Sequence, residues 1–128
     1  MRVGLLEDDA AIQEMLFLVL QDEGHTVLSF STAEECLEAL NAVTHAPDQK
    51  LVDLMIVDWR LGGSTSGTEV IRQIRHDPRF QSLPIILTTA AALQDTEELQ
   101  NFQVALLEKP FSVDDMIALI KELTQPGS

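Results

Sequence analysis

Four short stretches of this 128-residue chain carry side chains suited to chemistry. Glu7, Asp8 and Asp9 follow the apolar residues 3–6, VGLL. Asp58 follows LMIV, residues 54–57, and Thr88 and Thr89 end IILTT, residues 85–89. Lys109 follows VALLE and precedes Pro110. Carboxylates gathered at one place repel one another and raise each other's pKa. A hard divalent ion with oxygen ligands, Mg²⁺ or Mn²⁺, offsets that repulsion. An ammonium group and a hydroxyl complete an inventory suited to phosphoryl transfer, where charge spreads over the outer oxygens of the moving group. A carboxylate is a competent nucleophile for it, giving an acyl phosphate. Asp58 is the best candidate, because it alone leaves the central strand, with no acidic neighbour in sequence.

Each piece has an ordinary structural role when taken singly. Acids before a helix cap it and complement its dipole. An Asp after a strand forms turns. Lys-Pro opens a helix, and Thr at a strand end is often structural. The functional reading rests on their joint placement, so the elements that carry them decide it.

Apolar runs alternate along the chain with amphipathic stretches. Residues 3–6, 26–30, 54–57, 85–89 and 104–107 read as strands. Their apolar character is continuous rather than alternating, the mark of parallel strands buried on both faces. Residues 10 to about 23 read as a helix with Ile12, Leu16, Val19 and Leu20 on one stripe. Asp8 or Asp9 caps it and Gly24 suits its end. Ser31-Thr32-Ala33-Glu34 reads as a capping box for a helix to about residue 42. Further helices are expected from Thr68 to about Arg75, over 95–102, and after Ser112-Val113-Asp114-Asp115, the last with Met116, Ile117, Leu119, Ile120 and Leu123 inward. This βα alternation predicts an α/β fold: a doubly wound, five-stranded parallel sheet with helices on both faces. Sites in such folds lie beyond the carboxyl ends of the strands, at a topological switch point. All the chemical residues above sit at such ends.

Composition narrows the function. Hydrophobic residues make up 45 % of the chain, which suits one globular domain with a sizeable core. No apolar run approaches the ~20 residues a membrane span needs, and the acidic start is not that of a signal peptide. The single cysteine, Cys36, cannot form an internal disulfide and reads as a small buried helix residue. The net charge of −13 repels nucleic acid phosphates and attracts cations. His25, His45 and His76 lie apart in polar contexts and read as surface residues. Trp59 is expected at the rim of the site.

With LLEDD, IVDWRL, ILTTA and EKPF in this order and spacing, the sequence resembles the receiver domain of two-component response regulators over residues 2 to about 123. The resemblance implies the flavodoxin-like receiver fold. It implies that Asp58 accepts a phosphoryl group from a sensor histidine kinase or phosphotransfer protein. It further implies that Glu7 and Asp8 hold Mg²⁺ or Mn²⁺ together with Asp58 and the backbone carbonyl of Arg60. Thr89 matches the switch hydroxyl and Lys109 the lysine that contacts the phosphoryl group. Thr88, one residue early, is expected to point the other way. The implied protein is cytoplasmic and a phosphoacceptor rather than an enzyme. It binds neither nucleic acid nor membrane itself, and it acts on an output domain, a partner protein or a second copy of itself. Residues 1–124 would form the domain, and 125–128 a tail or the start of a linker.

Some residues depart from the family pattern. Gly62 stands four residues after Asp58, where proline is common, and Leu106 stands three before Lys109, where an aromatic is usual. The latter keeps a phosphorylation-independent interaction module as the alternative. A flavin carrier is a poorer match, because the Ser/Thr/Gly loop at 63–68 follows the third strand and aromatic residues are few. A phosphatase with an aspartate nucleophile would need a substrate-selecting cap, for which 128 residues leave no room.

Overall fold

The structure, a computed structural model, describes residues 1–41, 52–59, 66–89, 103–109 and 111–124. Its elements are β1 (Arg2–Leu6), α1 (Ala10–Asp22), β2 (Thr26–Phe30), α2 (Ala33–Asn41), β3 (Leu54–Asp58), α3 (Gly67–His76), a 3-10 turn (Pro78–Phe80), β4 (Ile85–Thr89), β5 (Ala105–Glu108) and α4 (Val113–Thr124). The five strands form one sheet in the order β2-β1-β3-β4-β5, and every pairing is parallel. The expected doubly wound sheet is present.

The burial of each strand follows from its place. β3 and β4 are buried along their whole length, as interior strands covered on both faces must be. At the edges, β5 alternates between half-buried and exposed residues, and β2 exposes Thr26 and Ser29. On one face Leu16 and Leu20 of α1 and Met116 and Ile120 of α4 pack on Val3, Leu5, Leu54, Ile56 and Ile86. On the other, Cys36 and Leu40 of α2 and Val70, Ile71 and Ile74 of α3 pack on Leu6, Met55, Val57, Ile85 and Leu87. Cys36 is fully buried, as its sequence context predicts, and burial pushes its thiol up to about 12.

The helix ends explain where the chain turns. Asp9 caps α1, its Oδ1 accepting from the backbone N–H groups of Ala11 and Ile12 at 3.0 and 3.1 Å. Gly24, at φ +89°, closes α1: its N–H donates to Gln21 O and that of His25 to Leu20 O, the Schellman arrangement. Ser112 caps α4 through the Asp115 N–H.

Several expectations shift. The box at α2 is one residue later than expected: the Glu35 N–H donates to Thr32 Oγ1 and the Glu35 carboxylate accepts from the Ser31 N–H. STAEE holds two overlapping boxes, and the helix starts at the second. β5 runs over 105–108 rather than 104–107, and α3 begins at Gly67 behind a Ser66 cap. His25 is half-buried rather than on the surface. Its ring borders a cavity of about 90 Å³ with Leu20, Ile117 and Ile120, and its buried Nδ1 has no partner among the described residues. Burial, with the Met1 ammonium as a lesser cause, lowers its pKa. The helix expected over 95–102 and His45 lie outside the described residues.

Candidate functional site

β2 and β3 lie on opposite sides of β1, so the path of the chain reverses between β1 and β3. The carboxyl ends of these strands therefore border the switch point. Leu6 and Val57 are register partners, which brings Glu7 and Asp58 side by side one residue further on. Asp58 is paired with Thr88 on β4, and Thr89 with Glu108 on β5. The Trp59 N–H donates to Thr88 O at 2.8 Å and the Lys109 N–H to Thr89 O at 2.6 Å. These bonds carry the ladder past the strand ends and aim Lys109 back toward the centre of the sheet.

Glu7 and Asp58 are 2 % and 5 % exposed, unusual burial for carboxylates. Lys109 Nζ lies 3.3 Å from Asp58 Oδ1 and 3.6 Å from Glu7 Oε2. One ammonium therefore serves two buried acids. Glu7 is pushed up to about 7, first by burial and then by its hydrogen bond with Asp58; the Asp9 N–H and Lys109 act against the rise. Asp8 is exposed at the mouth. Carboxylate oxygens of Glu7, Asp8 and Asp58 all lie within 4.8 Å of one another. An all-oxygen, carboxylate-rich set of this span suits a hard divalent cation, so the donor set fits Mg²⁺.

The structure thus brings together Glu7, Asp8, Asp58 and Lys109. Thr89 is buried at the end of β4 beside them, and Thr88 is buried too. Alternation along β4 puts Thr88 on the Ile86 face and Thr89 on the Ile85 and Leu87 face, so the two point oppositely, as expected. Arg60, the Gly62 loop and Pro110 lie outside the described residues. Trp59 is partly buried and packs against the α2–α3 side of the core. Leu106 is 43 % exposed on edge strand β5.

Two neighbours of the site carried no signal in the sequence. Gln13 donates from Nε2 to the carbonyls of Glu7 and Phe30 at 3.0 and 3.1 Å. Gly67 opens α3 against the backbone of Asp58 and Trp59, with its N–H on Trp59 O at 3.1 Å. A β-carbon there would overlap Asp58 O and come within 2.9 Å of Trp59 Cα.

Comparison with known proteins agrees with this geometry. The family described as response regulator receiver domain matches residues 3–121. The phosphate regulon transcriptional regulatory protein PhoB of Pseudomonas aeruginosa is 35 % identical over 96 % of this chain and 52 % of its own length. Its namesake in Rhizobium meliloti is 30 % identical over 95 % of this chain and 51 % of its own. The chain thus spans about half the length of these curated relatives. Among solved structures, a response regulator receiver protein of Pseudomonas putida aligns with a TM-score of 0.79 at 28 % identity, covering 94 % of this chain and 95 % of that one. The chemotaxis protein CheY4 of Vibrio cholerae aligns at 0.82 and 20 % identity over 95 % and 97 %, a likeness of fold. No helix among the described residues is long and apolar enough to cross a membrane. By the family match over almost its whole length, this chain belongs to the response regulator receiver domains of two-component signalling.

Proposed function

We propose that Asp58 is the phosphoacceptor of this receiver domain, with Glu7, Asp8, Asp58 and the Arg60 carbonyl as ligands of Mg²⁺ or Mn²⁺. The observation that carries this is the single Lys109 ammonium lying against both Asp58 and Glu7 at the switch point of the sheet. Bound there, the cation would supply positive charge to the outer oxygens of the transferring group.

An Asp58 oxygen attacks the phosphorus of a phosphohistidine on a sensor histidine kinase or phosphotransfer protein. A P–O bond forms, the P–N bond breaks, and its electron pair leaves on the imidazole nitrogen. Lys109, already within reach of Asp58, exchanges its carboxylate contacts for phosphoryl oxygens. The Thr89 hydroxyl, at the end of the neighbouring strand, donates to another. These charge-assisted bonds exist in only one state of the domain, so they bias an equilibrium between inactive and active forms. That bias would pass to an output domain, a partner protein or a second copy.

On this reading the domain comprises residues 1–124 and the rest is a tail or linker. It acts in the cytoplasm as a signalling phosphoacceptor that assists its own phosphorylation and loss of phosphate. An interaction module indifferent to phosphorylation would have no need of a buried acid pair held by a lysine.

The test is the chemistry of the bond. Label taken up from a phosphodonor should be released by hydroxylamine, as an acyl phosphate is, and should map to Asp58. Label that resists hydroxylamine, or that survives in Asp58→Asn, would refute the assignment.

A further inference from the structure

Gln13 lies on the first turns of α1, and its side chain folds back across the strand ends. Nε2 is 3.0 Å from Glu7 O and 3.1 Å from Phe30 O. Both partners are main-chain carbonyls, which only accept. The NH₂ end must therefore face them, since the amide oxygen would meet two like dipoles. Both hydrogens of one side chain are used, and both hold backbone.

The two carbonyls are not arbitrary. β1 ends at Leu6, so the Glu7 carbonyl falls just past the paired register. Phe30 O already accepts the Glu7 N–H at 3.2 Å. Glu7 is thus held on its N–H by the end of β2 and on its C=O by Gln13. Ahead of it, the Asp9 N–H donates to Glu7 Oε1 while the Asp9 carboxylate caps α1. The segment that presents Glu7 and Asp8 is tied to β2 on one side and to α1 on the other, and Gln13 joins the two ties.

We propose that Gln13 is a positioning residue: its amide clamps the acidic β1–α1 turn to the end of β2 and so holds the Glu7 and Asp8 carboxylates at the spacing a divalent cation needs. This rests on the reading of Glu7 and Asp8 as cation ligands. Three carboxylate oxygens within 4.8 Å tolerate little drift of the backbone that carries them. The clamp is neutral, so it fixes the acids without adding charge beside Lys109. Groups that orient ligands in this way commonly change metal affinity by about tenfold or more when removed.

The experiment compares the wild-type chain with Gln13→Met, which keeps the side-chain length and removes both donors. Mg²⁺ affinity is read from Trp59 fluorescence, and the fold from circular dichroism. The metal-free wild type is also followed by the amide NMR signals of Gln13. Expected are an approximately tenfold loss of Mg²⁺ affinity in the folded variant and Gln13 side-chain protons that exchange slowly before any metal is added. A merely structural anchor would lower thermal stability and leave the affinity of the folded protein unmoved; affinity within about twofold of wild type overturns the proposal. Gln13 protons that exchange as fast as those of free glutamine overturn it without any variant. A wild type that ignores Mg²⁺ overturns the ligand reading together with this inference, and is thereby distinguished from failure of the clamp alone.

Discussion

Lys109 Nζ stands 3.3 Å from Asp58 Oδ1 although the two residues lie 51 positions apart and at the ends of strands separated by β4. The ammonium crosses the end of β4 to reach the acid. Asp58 is 5 % exposed, so the ammonium meets a carboxylate largely withdrawn from water. Lys109 thus bridges the two acids of the resting site, and on the proposed function it also serves transfer.

Replacing Lys109 with Met should keep the fold and slow phosphoryl uptake by roughly a hundredfold, the usual consequence of deleting one donor aimed at developing charge. Initial rates with acetyl phosphate at fixed Mg²⁺ measure this. A rate within a factor of two of wild type would remove Lys109 from the mechanism.

Glu7 sets a pH dependence. Its pKa of about 7 in the metal-free fold lies above the ordinary 4.5. The raised value means the folded state holds the proton more tightly than the unfolded chain. Below about 4.5 both states are protonated and Glu7 is neutral to stability. Between 4.5 and 7 stability declines as pH rises, and above 7 the full cost of the buried charge is present. A cation has to displace that proton. Apparent Mg²⁺ affinity should therefore climb as pH rises toward 7 and level off above it. Titrations of Trp59 fluorescence at several pH values test this, and affinity that is flat from pH 5.5 to 8 would contradict it.

Gly67→Ala should be costly despite its small size. The added carbon would sit within 3.0 Å of the Asp58 carbonyl carbon and overlap its oxygen, and these are main-chain atoms that cannot step aside. A loss of about 1–3 kcal/mol is expected from overpacking, together with slower phosphorylation because the displaced backbone is that of Asp58. Chemical denaturation and phosphorylation rates measure the two effects. A variant as stable as wild type would mean that α3 can withdraw from β3.

Much of this was legible in the sequence for a definite reason. Interior strands such as β3 and β4 open with unbroken apolar runs, LMIV and IIL, so the polar residues at their carboxyl ends, Asp58 and Thr89 among them, stand out. Edges are less sharp: β5 begins one residue late because VALLE is apolar on both sides of the boundary. The α2 cap was ambiguous because STAEE contains two registers of one motif, and the helix uses the second. His25 looked polar in sequence, yet the Gly24 turn folds it against Leu20 and α4. Gln13 was invisible for a different reason. Its partners are backbone carbonyls 6 and 17 residues away, and backbone groups leave no trace in residue type.

On the proposed function, Asp58 takes a phosphoryl group with the help of a cation held by its acidic neighbours. Intact mass after incubation with acetyl phosphate, with and without Mg²⁺ and beside Asp58→Asn, tests it most directly. The predicted result is a gain of one phosphoryl group that needs Mg²⁺ and is absent from the variant. No gain in folded wild-type protein, or an equal gain in Asp58→Asn, would contradict it.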